Sequence, residues 1–594
     1  MDLLLESSPL KIKPNFSSNT EDWRAYYHQL QQQQYIRHAR TQLEHVSQLD
    51  IDHDAVFVRH TATVCTLGDL WNTDEKITTM IKDGMNILRL NLSMASYDYY
   101  ADVIRRVRAI ERALNYQPVV AIALDISAPP VRTGLIQNNV EAVVTLNDGQ
   151  IVKLTVDTDL KNSTSDTLIF IDTQYFPTFI HCVKPGDRIH LDDGMLTLIV
   201  RELGLDNITC LVEQGGELQP MFNEVHKAIS AVGNVLICQT AESITRHLKQ
   251  LTCGIWRLLW NPKYCSHRFQ PINERYSLNE LMEVADGIIV GRQGLGLVYP
   301  TEKIFQLQKQ IIGKCNIVHK PVFVISQLLE SMRFKPRPTR AEVSDVANAV
   351  LDGADGLVLT VETSRGLFPK EALHVLHMIM YDVGSCVISL FHASCSSFAR
   401  PHFTLFSFFA RDRPTQKICR EAESAIFHKR FVADLQAARD ARGLSPLDPA
   451  YLSALAAVEA ANSSNTSAIF VVTTTGRSAS AIAAFRPSCP VVPIMRRPEV
   501  ARLCHSFRGL HPFVHTSEKL EDWSRDMDAR LNAAMKYALS RGFVALGDQV
   551  VVVTGWKAGT GATNTVRVLE LPRDGRPISI VNSQSQLTGD AWFD

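Results

Sequence analysis

The sequence predicts an α/β protein: a (β/α)8 TIM barrel, interrupted by an inserted small β-barrel lid domain and followed by a C-terminal α/β domain. Three observations predict this. First, strand-like and helical segments alternate early: Thr61–Leu67, a helix over 74–83, Asn86–Leu92, a helix over 97–115, then Val119–Asp125. That rhythm builds a parallel sheet with helices outside it. Second, residues 134–216 change to short alternating segments divided by Gly, Asp and Asn: Val143–Leu146, Ile151–Val156, Thr167–Ile171, Arg188–Leu191, Leu196–Arg201 and Ile208–Val212. Period-two alternation broken by turn residues reads as a small all-β unit. Third, the α/β rhythm resumes by 234 and runs to about 378. A second α/β unit then begins near 418, with helices over 418–438 and 448–462 and strands Ala468–Thr473, Val491–Ile494 and Val550–Val553. Barrel chemistry is done at the C-terminal ends of the strands, so the polar residues there are the candidates.

The expected division is an N-terminal helical segment at 1–55 and barrel at 56–133. The β lid takes 134–216, and a second, shortened barrel part takes 217–378. An insert at 379–417, the C-terminal domain at 418–572 and a tail at 573–594 complete the chain. Net charge is −1 and pI about 7.0, which gives no basic field for nucleic acid or an anionic membrane surface. No apolar run approaches a membrane span, and the acidic start MDLLLE is no secretory signal. Twelve cysteines without paired CxxC spacing fit reduced thiols in a cytoplasmic protein.

Several ordered motifs carry a resemblance. They are LEHVSQLDIDHDAVFVRHTATVCTLG (43–68), GMNILRLNLS (84–93), ALDISAPPVRTG (123–134) and LDDG (191–194). The longest run is KPVFVISQLLESMRFKPRPTRAEVSDVANAVLDGADGLVLTVETSRGLFP (320–369), followed by TTTGRSA (473–479) and TGWKAGTGATNTVRV (554–568). Together they resemble the pyruvate kinase family. The resemblance implies phosphoryl transfer from phosphoenolpyruvate to ADP, giving pyruvate and ATP, with potassium and magnesium or manganese as cofactors. It also implies a tetramer.

Carried over by position, Arg89 matches the family's substrate-phosphate arginine, and its planar fork suits a phosphate. Asn91, Ser93 and Asp125 match the potassium ligands. Ile126 stands where a threonine carbonyl is the fourth and can still offer its backbone oxygen. Arg132 matches a nucleotide-contacting arginine. Arg292, Gln293 and Gly294 belong to a loop before a helix, a place where anions bind. Ser326 replaces a substrate-contacting threonine and keeps its hydroxyl. Glu362 and Thr363 also match. Singly, each would serve as a solvated or ion-paired barrel residue; together they outline a site.

Other positions depart from the family. Its metal loop reads Ala-Arg-Gly-Asp-Leu-Gly, and here Gly291–Gly296 reads Gly-Arg-Gln-Gly-Leu-Gly, so Gly294 replaces the aspartate. An ungapped match places Gln270 at the second metal carboxylate and Arg268 at the catalytic lysine. A glycine and an amide cannot neutralise a hard cation, and arginine does not readily release a proton. Residues 217–287 are also shorter than the family stretch. A substitute for the missing strand is expected from Asn234–Gln239 and Ile255–Trp260.

In the last domain, Thr473, Thr474, Thr475 and Ser478, with Trp523, Arg530 and Gly559, match the family's sugar-bisphosphate effector site. A structural strand–turn–helix with ordinary caps is the alternative. In 379–417 a Phe/Ser/Leu-rich run ends in Gln416, as a pyrimidine-rich tract with its acceptor site would encode, so the segment reads as a retained intron or a mispredicted splice. An apolar loop is the alternative. Two functions stay open at this point: a pyruvate kinase of weakened activity, or an inactive paralogue acting as a structural or regulatory subunit.

Overall fold

The computed structural model describes residues 41–47, 49, 58–68, 71–91, 97–114, 119–125, 132–134, 144–161, 163–172, 183–191, 196–218, 226–227, 258–259, 282, 285–296, 299–376, 422–423, 425–443, 449–464, 466–555 and 563–579. The central sheet opens with β1 (Ala62–Thr66), β2 (Ile87–Asn91) and β3 (Ala121–Asp125). The chain then enters β4 (Arg132–Thr133), β5 (Val144–Leu146), β6 (Ile151–Thr155), β7 (Leu168–Asp172), β8 (Arg188–Leu191), β9 (Leu196–Leu203), β10 (Asn207–Gln214), β11 (Gly216–Leu218) and β12 (His226–Lys227). It returns with β13 (Leu258–Leu259), β14 (Gly287–Gly291), β15 (Val322–Ile325) and β16 (Gly356–Leu359).

The first three and the last four of these strands form one parallel sheet in the order β13-β14-β15-β16-β1-β2-β3. The pairing of β16 with β1 brings the end of the barrel segment back to its start, which is what a curled barrel sheet requires. Both faces are covered. Ala62, Val64, Ile87, Phe323, Ile325 and Val358 fill the inside. Helices Asp74–Lys82 and Tyr97–Ala113 pack outside β1 and β2, and helices Ile304–Ile317 and Arg340–Leu351 pack outside β14–β16. Strands buried on two sides read as apolar runs, which is why β1, β15 and β16 are legible. Leu258–Leu259 pairs with Gly287–Ile288 inside the stretch expected as a substitute strand; Asn234–Gln239 lies outside the described residues.

Strands β4–β12 form a largely antiparallel unit. Its core is Leu146, Val152, Leu154, Ile169, Ile189, Leu198, Val200 and Val212, with polar residues alternating outward. The C-terminal domain is a five-stranded sheet, β19-β18-β17-β20-β21, from β17 (Ala468–Val472), β18 (Val491–Met495), β19 (Phe513–Val514), β20 (Gln549–Gly555) and β21 (Thr563–Glu570). Helices cover both of its faces. The pattern missed the antiparallel edge strand β21, which mixes Thr, Asn, Arg and Glu with its apolar residues. Within the helix expected over 418–438, Ala422 and Glu423 are helical, Ala425 is in a turn, and Phe427 caps the helix His428–Asp440; Glu423 is buried. Of the helix read over 22–48, only Gln42–Ser47 is described, and the 379–417 insert lies outside the described residues.

Buried charges join the N-terminal ends of the barrel strands to the C-terminal domain. Asp355, one residue before β16, accepts from Arg486 Nη1 at 2.7 Å, Arg486 Nη2 at 3.1 Å, Arg508 N at 3.0 Å and Val322 N at 3.0 Å. Glu423 accepts from His60 N, Thr61 N and Thr61 Oγ1 at 2.9, 2.7 and 2.6 Å, with Arg508 3.8 Å away. Among the described residues no helix is long and apolar enough to cross a membrane.

Candidate active site

Strands β1, β2 and β3 end side by side, and three polar side chains meet there. The Arg89 guanidinium donates from Nε to Asp125 Oδ2 at 3.1 Å, and its Nη2 reaches the same oxygen. Nη1 donates to Thr66 Oγ1 at 3.0 Å. Both members of the ion pair are about nine-tenths covered (side chains 12% and 10% exposed), so water screens it weakly. Asn91 and Asp125 are register partners across β2 and β3, which sets two oxygen-bearing side chains next to each other. The Tyr100 hydroxyl donates to the Asn91 carbonyl and ties the strand end to its helix.

Thr363 closes the rim from the β16 side. Its Oγ1 accepts from Thr66 N at 3.0 Å and lies 3.0 Å from Thr66 O, to which it donates. Glu362 is buried; its carboxylate accepts from Thr360 N at 2.7 Å and Leu329 N at 3.2 Å, so it fixes loop backbone. Gly68 sits where a β-carbon would lie 2.0 Å from Ser364 O, so only glycine allows this approach of the β1 loop.

On the β14 side, Arg292 opens the five-residue helix Arg292–Gly296 and is buried. Its guanidinium turns to the neighbouring strand end and donates to Ser326 O and Gln327 O. Gly294 lies inside this helix and brings no side-chain donor; Gln293 is half-buried.

In the C-terminal domain, Thr473 follows β17 and its Oγ1 accepts from Gly476 N at 3.0 Å. Gly476 takes φ 82° and starts helix Arg477–Ala484 without a side-chain cap. That left-handed turn favours glycine. Thr474 and Thr475 are exposed, and Ser478 Oγ donates to Thr563 Oγ1 at 3.0 Å. Arg530 pairs with Asp526 at 2.5 Å, and Arg496 donates to the other Asp526 oxygen at 2.6 Å. Burial lowers the Arg530 pKa, with Arg496 adding to the effect. Burial acts to raise the Asp526 pKa, but the Leu520 N–H and the two guanidiniums outweigh it and hold the group below the usual carboxylate range.

Two family models match this chain: "Pyruvate kinase, barrel domain" over 58–236 and 269–373, and "Pyruvate kinase, alpha/beta domain" over 453–569. Pyruvate kinase PKLR of Homo sapiens is 36% identical, covering 91% of this chain and 90% of its own length. The chain belongs to the pyruvate kinase family. Pyruvate kinase 2 of Candida glabrata is 32% identical, over 86% of this chain and 94% of that protein. Pyruvate kinase 2 of Saccharomyces cerevisiae is 31% identical, over 86% and 95%.

Within that family frame, the structure brings Arg89, Asn91 and Asp125 together and sets Arg292 against Ser326. Arg132 lies on β4, paired through backbone with Asp172. Ser93, Ile126, Arg268, Gln270 and Gly559 fall outside the described residues. Trp523 is half-buried at the start of helix Trp523–Ser540, against the core that also contains Met527. Sequence reasoning did not single out Thr66 or Asp345. Thr66 was detectable as the polar last residue of an apolar strand; Asp345 was not, because its link to Arg292 spans 53 positions.

Proposed function

We propose that this chain carries out the family reaction, phosphoryl transfer between phosphoenolpyruvate and ADP in cytoplasmic glycolysis, at weakened turnover. The observation that carries this reading is the contrast at the strand ends. The Arg89–Asp125–Thr66 constellation is assembled, while Gly294 offers no carboxylate beside it. Phosphoryl transfer needs positioning and charge neutralisation more than covalent chemistry. Arg89, held at a fixed angle by Asp125, supplies a planar donor set for the substrate phosphate. Asn91 and Asp125, with Ser93 and the Ile126 carbonyl, suit potassium, which prefers hard oxygen donors. A magnesium or manganese ion, when bound, supplies the charge neutralisation that phosphate and enolate need. The residues present fit that ion poorly: Gly294 has no side chain, Gln270 is an amide, and among the described residues no three acidic, His or Cys side chains converge. Loss of such an ion removes several powers of ten in rate (roughly 4–7 kcal/mol of barrier stabilisation) unless the substrates recruit it themselves.

The same contrast supports a second reading, a catalytically inactive subunit in a homo- or heterotetramer with active paralogues. There the loop at Thr473, Thr474, Thr475 and Ser478, with Trp523, Arg530 and Gly559, would take a sugar-bisphosphate effector. Segment 379–417 lies between the matched stretches. We propose it as a retained intron; a transcript read running straight from 378 to 418 supports this, and peptides from within it refute it.

The deciding experiment is pyruvate formation by the purified chain with phosphoenolpyruvate, ADP, potassium and magnesium or manganese, beside an Arg89→Ala control. Turnover that the control abolishes establishes the enzyme. A folded protein with no turnover above the control assigns the subunit role.

A further inference from the structure

Ser326 and Gln327 follow β15 directly, and both are left-handed, with φ of 75° and 53°. Neither is glycine. A β-carbon crowds the carbonyl oxygen in that region, so two successive such residues persist only when their surroundings hold them. Arg292 supplies the hold. It stands after Gly291, the register partner of Ile325, so its base lies beside the end of β15. Nε and Nη2 donate to Ser326 O at 3.2 and 2.7 Å, Nη2 also donates to Gln327 O at 2.8 Å, and Nη1 donates to Asp345 Oδ2 at 2.5 Å. Both carbonyls of the strained pair therefore end on one guanidinium, whose far side is fixed by helix Arg340–Leu351. With its charge paired to Asp345 and its donors turned to backbone, Arg292 does not face a phosphate.

We infer that Arg292 is a positioning residue that locks the left-handed Ser326–Gln327 turn, and so aims the Ser326 hydroxyl, rather than a ligand of nucleotide or substrate. The part concerning Ser326 rests on the proposed function; the part concerning the turn stands on geometry alone.

The test compares four full-length proteins: wild type, Arg292→Met, Gln327→Gly and the double variant. Glycine adopts this φ without the β-carbon penalty. Hydrogen exchange at the 326–328 amides reads the turn whether or not substrate binds, and equilibrium dialysis with labelled phosphoenolpyruvate reads the site. Arg292→Met is expected to speed exchange there and weaken phosphoenolpyruvate about tenfold, and Gln327→Gly in the same chain to recover most of both. Unchanged exchange in Arg292→Met overturns the inference. Weakened binding that glycine does not rescue also overturns it and makes Arg292 a direct ligand. Wild-type protein that binds no phosphoenolpyruvate refutes the proposed function, and the exchange data then decide the turn separately. Should Arg292→Met not fold, Arg292→Lys serves, since one ammonium cannot reproduce the forked contacts.

Discussion

At the N-terminal ends of the barrel strands, Asp355 gives its two oxygens to four donors, two of them from Arg486 of the C-terminal domain. At the opposite ends, Gly294 lies in the helix Arg292–Gly296 and brings no side chain. One end is a buried network of paired charges; the other combines the Arg89–Asp125 pair with a glycine that carries no side chain. The difference teaches that the charges joining the two domains lie apart from the candidate site. Buried charges dock the C-terminal domain at the floor, away from the strand ends where barrel chemistry is done.

Breaking the floor should therefore cost far more stability than altering the rim. Asp355→Ala leaves a buried Arg486 guanidinium without its partner, and the expected loss is about 3–5 kcal/mol in denaturant unfolding. A loss near zero would mean that the two domains dock without this pair. Acid attacks the same floor. His428 Nδ1 donates to Arg486 O at 2.8 Å, and His505 Nε2 donates to Val119 O at 2.8 Å. Burial pushes their pKa values down to about 3 and about 4. Each stays neutral when folded while its unfolded counterpart takes a proton near pH 6.5. Stability should then fall as pH drops below that value, by about 2 kcal/mol for each ring and so about 4 kcal/mol for the two between neutral pH and pH 5, and level off near the folded values. Melting curves across that range check it, and a flat profile would show that these rings are already hydrated.

At the rim the effect should appear in rate rather than stability. Gly294→Asp restores an anionic oxygen beside the arginine site and is expected to raise turnover by about tenfold with magnesium, leaving the unfolding midpoint nearly unchanged. No gain would place the chief defect at Gln270 and Arg268.

Much of this contrast was legible in the residues, and the reasons are physical. Strands buried on both faces, such as β15 and β16, appear as apolar runs, and Arg89 and Asp125 announce themselves as charges at strand ends. The contacts of Arg292 were not legible. A guanidinium in a loop before a helix suggests an anion site, and its bonds to the carbonyls of Ser326 and Gln327 join positions 34 and 35 residues away. The floor was hidden for a similar reason. Arg486 and Asp355 are 131 residues apart, and each alone looks like an exposed loop charge. Nor did the helix expected from 418 reveal the break at 425–427 between helical Glu423 and His428.

The smallest expected effect lies in the C-terminal loop and sharpens the comparison further. Ser478 Oγ donates to Thr563 Oγ1, joining the start of helix Arg477–Ala484 to the first residue of β21. Ser478→Ala removes that link. The Thr563 side is partly open to water and can find another partner, so the loss should be about 1 kcal/mol or less, read as a small shift in unfolding midpoint. If the loop is an effector site, the same variant weakens a sugar bisphosphate by more than it weakens the fold, because it removes a hydroxyl from the first turn of the helix, where anions bind. Equal small losses in both would make the loop an ordinary strand–turn–helix. The fold would then rest on the floor, and the C-terminal domain would serve chiefly to dock against it.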